Sequence, residues 1–228
     1  MKICIIPARG GSKRIPRKNI KSFLGKPIIA YSIQAAIESE LFDEVMVSTD
    51  DEEIAEIAIK YGAKVPFLRS SENADDYATT SDVLTEVIDR YLNQNMKFNY
   101  VCCLYPCAPF VSSKTLIKAF EKLNSLNKSS IFPIVKFSSQ IQRALIITNN
   151  ELEFREKKFE KYRSQDLSLT YHDAGQFYFM KNSVILNNQS IVGNNTSYII
   201  VDEMNVQDID TINDWKIAEL KYKLKTTL

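Results

Sequence analysis

The sequence has few of the residue types that build zinc sites and disulfide frameworks. It contains one histidine, His172, and four cysteines among 228 residues. With a single histidine and no Cys-x-x-Cys pair, a zinc site is not expected. The cysteines all fall in or beside apolar, strand-like runs, so we interpret them as reduced thiols that mostly pack in the interior. These are Cys4, Cys102, Cys103 and Cys107.

An excess of one charge and long hydrophobic runs are also missing. The net charge is +1 and no basic tail is present, so we expect no nucleic acid partner. No apolar run is long enough to span a bilayer, and no signal peptide is recognised, so we expect no membrane association and a cytoplasmic location. With 45% hydrophobic residues, the chain has the size and composition of one domain, residues 1–228.

Positive charge is instead concentrated near the start of the chain. Residues 2–6 form an apolar run typical of a buried strand in a parallel sheet. Gly10 and Gly11 follow it, and they allow a sharp turn and a close approach of backbone N–H groups to a ligand. Five cations accompany them: Arg9, Lys13, Arg14, Arg17 and Lys18. This combination favours a polyphosphate site over the alternative, a solvated basic loop.

The stretch Ile6-Pro-Ala-Arg-Gly-Gly-Ser-Lys-Arg-Ile-Pro-Arg-Lys-Asn19 resembles the opening signature of the CMP-sialic acid synthetase family of sugar cytidylyltransferases. It matches neither the Walker A sequence nor the dinucleotide-binding fingerprint. The resemblance implies that the loop binds the nucleotide triphosphate, with Arg9 and Lys18 also acting in catalysis. The nucleotide-binding residues implied here are Ala8, Arg9, Gly10, Gly11, Ser12, Lys13, Lys18 and Asn19. Arg14 stands where many relatives have glycine and receives no role.

Elements after the loop alternate between helix and strand. The pattern predicts a helix over 28–37, a strand over 44–49, a helix over 52–61 that Asp51 caps and Gly62 ends, and a short strand over 63–68. This order indicates a parallel, doubly wound sheet. We therefore predict an α/β fold with three layers and a mostly parallel sheet, which the resemblance identifies as the nucleotide-diphospho-sugar transferase type.

The polar segment between residues 69 and 80 is too long for a tight turn. Long loops at the carboxyl edge of a sheet are often functional. The resemblance implies that Arg69 and Ser81 face the nucleotide. For Ser81 and Asp82 the alternative is that they only cap the helix predicted over 83–92.

The strand at 100–105 ends in Pro106-Cys-Ala-Pro109. Relatives carry Leu-Gln-Pro-Thr-Ser-Pro here, and their glutamine helps to read cytosine. This chain has Tyr105 at the glutamine position, with Cys107 and Ala108 in place of threonine and serine. We therefore expect Tyr105 to contact the nucleotide in a different geometry, or backbone amides to replace it.

Residues 136–170 do not continue the alternation of strand and helix. Short strand-like runs at 144–148 and 151–154 alternate with charged segments, which favours an antiparallel insertion. The resemblance implies that this segment is an arm crossing a homodimer interface; a surface excursion is the alternative. Arg163 within it is a candidate for binding a sugar carboxylate, because a guanidinium offers a planar pair of donors.

Residues 171–179 contain the second informative motif. The form His-Asp-Ala-Gly-Gln-Phe-Tyr resembles the branch that activates pseudaminic acid rather than N-acetylneuraminic acid. The candidate acceptor-binding residues in it are His172, Asp173 and Gln176.

Asp208 and Asp210 are two residues apart near the end of the chain. In an extended segment this spacing places both carboxylates on one face, where they repel each other unless a cation lies between them. Oxygen ligands combined with phosphate are the usual arrangement for Mg²⁺. Helix capping is the alternative, and the resemblance supports a metal-binding, catalytic role for both.

The resemblance therefore implies transfer of CMP from CTP to the anomeric hydroxyl of a nonulosonic acid, with release of pyrophosphate and with Mg²⁺ as cofactor. Pseudaminic acid is the expected acceptor, in a route that includes flagellin glycosylation. N-acetylneuraminic acid and KDO are the alternatives. A catalytically inactive nucleotide-binding regulator is the non-enzymatic alternative, since Tyr105 and Cys107 depart from the family pattern.

Overall fold

The computed structural model describes residues 1–75 and 77–227, with the backbone alone at Thr227. The α-helices are α1 (Ile29–Glu38), α2 (Glu52–Lys60), α3 (Thr80–Asn93), α4 (Ser113–Ser125), α5 (Asn182–Leu186) and α6 (Ile212–Thr227). The β-strands are β1 (Lys2–Pro7), β2 (Ser22–Phe23), β3 (Lys26–Pro27), β4 (Glu44–Ser48), β5 (Tyr100–Leu104), β6 (Ser130–Lys136), β7 (Leu145–Thr148), β8 (Glu151–Phe154), β9 (Tyr171–Asp173), β10 (Phe177–Lys181) and β11 (Thr196–Ile200).

The central sheet has seven strands in the order β11-β6-β10-β5-β1-β4, with β9 also paired to β6. Strands β4, β1 and β5 are parallel to one another, and β11 is parallel to β6. Strand β10 runs antiparallel between β5 and β6. Five of the seven strands thus point the same way, which confirms a mostly parallel sheet and brings their carboxyl ends to one edge.

Strand β1 shows why the fold has three layers. Its apolar residues alternate between the two faces of the sheet. Cys4 and Ile6 pack with α1, α2 and α4 on one face, and Ile3 and Ile5 pack with α3 and α5 on the other. All four are fully buried. The predicted arrangement of helices on both sides of a sheet is confirmed.

A third apolar cluster ties the last helix to the basic loop. Trp215 of α6 lies 5.6 Å from the ring of Phe23, which follows the loop, and Tyr222 lies 5.7 Å from it. Ile15 of the loop and Ile209 belong to the same buried cluster. Packing of α6 therefore holds the acidic segment at 208–210 against the start of the chain.

The strand predicted over 63–68 is wrong: this segment forms only one isolated bridge, between Lys64 and Met46. Pro66 follows two residues later and lacks the N–H group needed to extend a ladder.

The ends of α2 are confirmed, since Asp51 accepts a hydrogen bond from the Ile54 N–H and Gly62 adopts a left-handed φ of 94°.

The segment 136–170 contains the antiparallel hairpin β7–β8, as predicted. Asn149 and Asn150 connect the two strands, and both adopt left-handed φ values, which asparagine tolerates well. The hairpin exposes large apolar side chains, including Ile147 at 75% and Leu152 at 67% exposure.

Among the helices of the described ranges, none has the length and apolar character needed to cross a bilayer.

Candidate active site

The basic loop, residues 8–19, lies at the carboxyl end of β1 and is held by its neighbours. The Asn19 side chain donates from Nδ2 to the Arg9 carbonyl at 2.9 Å, and its Oδ1 accepts a hydrogen bond from Cys107 Sγ at 3.3 Å. The Gly10 N–H donates to Oδ1 of Asp50 at 2.9 Å. The loop is therefore fixed from both neighbouring strand ends, β4 and β5.

Gly10 is required by close contact. A Cβ atom at this position would lie 2.7 Å from Oδ2 of Asp51, whereas a Cβ at Gly11 would meet nothing within 4 Å. Asp51 is itself held by Arg17, which donates from Nη2 at 2.9 Å and also pairs with Glu53. The hydrogen bond from Arg17 lowers the pKa of the Asp51 carboxyl. Arg17 thus braces the loop against α2.

A cavity of about 360 Å³ opens beside the loop. Its lining is strongly cationic and consists of Pro7, Arg9, Ser12, Lys13, Arg14, Lys18, Asn19 and Pro106. Five of the predicted nucleotide-binding residues are therefore brought together, along with Arg14, to which no role was assigned from the sequence. Clustered ammonium and guanidinium groups of this kind suit a triphosphate.

Arg69 follows the 63–68 segment in the chain, packs against the end of β4 and is 9% exposed. It donates from Nε to Ser48 Oγ at 3.0 Å and from Nη2 to the Ser48 carbonyl. Burial lowers the pKa of this guanidinium, and the charges of Asp50 and Glu86 oppose the shift. Ser81 lies in the first turn of α3, where Thr79 and Asp82 form the capping box. Arg69 and Ser81 stay predictions as nucleotide contacts, since neither lines the cationic cavity.

A second cavity, of about 420 Å³, lies beyond the end of β5. Its lining includes the predicted residues Tyr105, His172, Asp173 and Asp208. It also includes residues that no sequence motif indicated: Lys136, Phe137, Ser138, Glu203, Gln207 and Lys221. We call it the acceptor cavity, because His172 and Asp173, which are predicted to bind the acceptor, line it.

Tyr105 lines the acceptor cavity and not the cationic one. Its hydroxyl lies 3.3 Å from Thr80 Oγ1, and its ring packs edge-on at 5.7 Å from Tyr178. The Tyr178 hydroxyl donates to Oδ2 of Asp173. Burial raises the pKa of both phenols, so both remain protonated near neutral pH. Tyr178 was not predicted from the sequence. The signal that could have found it is its place between the buried Phe177 and Phe179, which puts Tyr178 on the opposite face of β10.

Two predicted acceptor-binding residues have other contacts. The Gln176 side chain is 5% exposed and donates from Nε2 to the Asn205 carbonyl at 2.6 Å. Arg163 lies in the arm and donates from Nε to Asp166 at 2.8 Å. Among the residues described, neither lines the acceptor cavity. Their direct contact with a sugar stays a prediction, and Gln176 holds the loop that forms one wall of the cavity.

Asp208 and Asp210 each contact or line one of the two cavities. Asp208 is exposed and lines the acceptor cavity, while Ile209 between them is buried. Asp210 pairs with Arg14 at 2.7 Å and lies 3.7 Å from Lys18 Nζ. The alternative of helix capping fits another residue, because the Asp214 carboxylate accepts the N–H groups of Asp210 and Thr211.

The chemistry of the two carboxylates suits a magnesium ion that is shared with a substrate, and their role as metal ligands stays a prediction. Within residues 1–75 and 77–227, no group of three or more histidine, cysteine, aspartate or glutamate side chains could hold a metal. Mg²⁺, however, commonly takes only one or two protein carboxylates and completes its coordination with substrate phosphates and water. Asp208 and Asp210, beside a cationic cavity, provide that donor set.

Comparisons with known proteins show which chains this one resembles in sequence and in fold. A pseudaminic acid cytidylyltransferase of Campylobacter jejuni is 46% identical over 223 residues, covering 97% of this chain and 96% of the relative. A CMP-N,N'-diacetyllegionaminic acid synthase of Legionella pneumophila is 33% identical, covering 95% and 94%. The fold matches a CMP:2-keto-3-deoxy-manno-octonic acid synthetase solved with CTP, with a TM-score of 0.73 at 17% identity over 100% of this chain and 99% of that one.

The family model described as Cytidylyltransferase matches residues 3–213. This range includes the strand ends beside both cavities and the acidic segment at 208–210. With this match and the C. jejuni relative, the chain belongs to the cytidylyltransferase family.

Proposed function

We propose that this enzyme transfers CMP from CTP to the anomeric hydroxyl of pseudaminic acid and releases pyrophosphate. The observation that carries the proposal is the position of the acidic segment at 208–210. Asp208 lines the acceptor cavity together with His172 and Asp173, and Asp210 pairs with Arg14 and Lys18 of the cationic cavity, which suits a triphosphate. The name of the 46% identical relative supports pseudaminic acid as the acceptor.

The residues of the cationic cavity bind and orient the triphosphate. Arg9, Lys13 and Lys18 neutralise its charge and stabilise the pyrophosphate as it leaves. The loop geometry set by Asn19 and Gly10 keeps these side chains on one side of the nucleotide. Holding two substrates in adjacent cavities turns a reaction between two molecules into one within a single complex.

In the reaction, the acceptor oxygen bonds to the α-phosphorus while the bond from that phosphorus to the bridging oxygen of pyrophosphate breaks. The hydroxyl proton passes to solvent. Asp208 and Asp210 would hold Mg²⁺, which supplies charge neutralisation and Lewis acidity at the phosphates. The half-buried phenol of Tyr105 lines the acceptor cavity, and Tyr178, which packs against it, keeps Asp173 in place through its hydrogen bond.

The test is pyrophosphate release from CTP and Mg²⁺ with pseudaminic acid, N-acetylneuraminic acid and KDO in parallel. Release with pseudaminic acid is the expected result, and Asp208→Asn serves as the inactive control. Release with another sugar alone would correct the acceptor and keep the reaction. CTP binding without release from any of the three would support the nucleotide-binding regulator.

We further propose that the enzyme works as a homodimer in the cytoplasm, where thiols stay reduced. Support for the dimer comes from the exposed apolar side chains of the β7–β8 hairpin, which a second copy would bury. Light scattering should give twice the chain mass. The double substitution Ile147→Lys and Leu152→Lys should yield a folded monomer, and an unchanged mass would refute an interface at the hairpin.

A further inference from the structure

We propose that Lys221 of α6 binds the carboxylate of the acceptor sugar acid. This inference rests on the proposed function, because it concerns how the same site recognises its acceptor. In a 2-keto sugar acid the carboxylate is attached to the anomeric carbon, next to the hydroxyl that reacts. A cation that binds it must therefore face the acceptor cavity near Asp208.

The described lining of the acceptor cavity offers two cations, Lys136 and Lys221. Lys136 is exposed at the end of β6. Lys221 is partly buried, and its Nζ donates to the carbonyl of Val206 at 2.8 Å and to that of Glu203 at 3.2 Å. Arg163, the arginine that the sequence suggested for this role, is paired with Asp166 in the arm.

Two carbonyl contacts make Lys221 a suitable receptor. An ammonium group has three N–H donors, and Val206 and Glu203 use two of them. These contacts hold the ammonium in one position and leave one donor for a ligand, so little side-chain entropy is lost on binding. A charge-assisted hydrogen bond to a carboxylate is stronger than one between neutral groups.

The rest of the lining makes the position of this cation decisive. Three carboxylates, those of Asp173, Glu203 and Asp208, also face the acceptor cavity. An anionic sugar is repelled by them and can be accommodated only where its carboxylate meets a positive charge. Lys221 contacts the carbonyls of Glu203 and Val206, and Val206 is two residues before Asp208, so Lys221 provides that charge at the reacting end of the sugar.

A purely structural role is the competing explanation, since Lys221 also links α6 to the 203–206 loop. Comparison of charged and uncharged acceptors distinguishes a structural role of Lys221 from binding of the sugar carboxylate. Lys221→Met keeps an unbranched side chain that is one atom shorter and removes the charge. Lys216→Met makes the same change on an exposed position of α6 that does not line the acceptor cavity.

The experiment measures KM and kcat for the acceptor acid and for its uncharged methyl ester, using whichever of the three sugars the wild type converts. Lys221→Met should raise KM for the acid at least tenfold, leave KM for CTP within twofold, and show wild-type KM for the ester. Lys221→Arg should recover part of the loss, and Lys216→Met should match the wild type.

Equal losses with acid and ester, or a parallel loss in KM for CTP, would assign Lys221 a structural role and overturn the inference. An unchanged KM for the acid would overturn it as well. A wild type that neither converts nor binds any of the three sugar acids would instead overturn the proposed function together with it. Calorimetric titration with each acid in the presence of CTP and Ca²⁺ detects that case.

Discussion

The thiol of Cys107 and the side-chain amide of Asn19 are linked by a hydrogen bond of 3.3 Å, in which the thiol donates to Oδ1. The same amide donates from Nδ2 to the Arg9 carbonyl at 2.9 Å. Asn19 therefore joins the end of β5 to the basic loop, and Cys107 fixes which way the amide faces. Burial raises the pKa of the Cys107 thiol to about 12, so the group keeps its proton and remains a donor.

We expect Cys107→Thr to retain CTP binding and Cys107→Val to weaken it. The two side chains have the same shape, and only threonine can donate to Asn19. The loss for valine should correspond to about 0.5–1.5 kcal/mol, as for a typical hydrogen bond, and should appear in KM for CTP. Identical KM values for the two variants would show that the thiol only packs.

Gly10→Ala should impair CTP binding, and Gly11→Ala should be tolerated. An added methyl at Gly10 would collide with Oδ2 of Asp51, which Arg17 holds in place, whereas the space beside Gly11 is open. Displacement of the loop would move the Gly10 N–H from Asp50 and shift Arg9. We expect KM for CTP to rise at least tenfold for Gly10→Ala alone. Equal effects of the two substitutions would contradict the role of this contact.

Asp208→Asn should abolish turnover with little change in melting temperature, because its side chain is exposed and caps no helix. Asp210→Asn should likewise abolish turnover. Its melting temperature should change little, since the pairing of Asp210 with the exposed Arg14 contributes at most about 1 kcal/mol to folding. Pyrophosphate release and thermal unfolding check both.

Asp214→Ala provides the matched comparison. Its carboxylate accepts the N–H of Thr211, the residue before α6, and the Thr211 hydroxyl accepts the Asp214 N–H. Loss of the bond from Thr211 should lower stability by about 0.5–1.5 kcal/mol and leave activity measurable below the melting transition. A large loss of stability in Asp208→Asn, with activity retained, would reverse the assignment of roles.

Asp51 should make stability depend on pH in the acidic range. The hydrogen bond from Arg17 lowers the pKa of Asp51 in the folded state below its unfolded value of about 3.9. The stabilisation is therefore complete above that value and is lost as pH falls through the folded pKa. Asp51→Asn keeps a good helix cap and removes the charge.

Urea unfolding of the wild type and Asp51→Asn should thus show a difference at pH 7 that shrinks toward pH 3. Glu53→Gln, at the exposed partner of Arg17, should show a smaller difference throughout. A gap between wild type and Asp51→Asn that stays constant with pH would rule out the ion pair as its source.

Much of the fold follows from local patterns. The run at 2–6, the periodicity of α1 and the caps at Asp51 and Gly62 each act within a few residues, and the structure confirms them. The prediction of a strand at 63–68 was wrong because apolar composition alone does not supply a ladder of N–H donors. The site residues of the basic loop could be predicted because Gly10, Gly11 and the cations are adjacent in the chain.

The acceptor cavity could not be predicted in the same way. Gln176 has the polarity of a ligand-binding residue, yet its amide is bound to Asn205, 29 positions away. The direction of the Tyr105 side chain at the end of β5 places it beside Tyr178 and in the lining of the acceptor cavity, and its contact with the nucleotide stays a prediction. Lys221 carries no sequence signal, since lysines are common on the exposed faces of helices.

The sequence by itself determined the layered α/β fold, the cationic loop and the acidic pair, because these depend on periodicity and on charges that lie close together in the chain. Only the tertiary structure decided which groups share a cavity. Antiparallel insertion of β10 beside β5, and packing of α6 through Trp215 onto Phe23, bring distant residues to one sheet edge. Those contacts depend on burial and side-chain direction summed over the whole chain, which no single segment encodes.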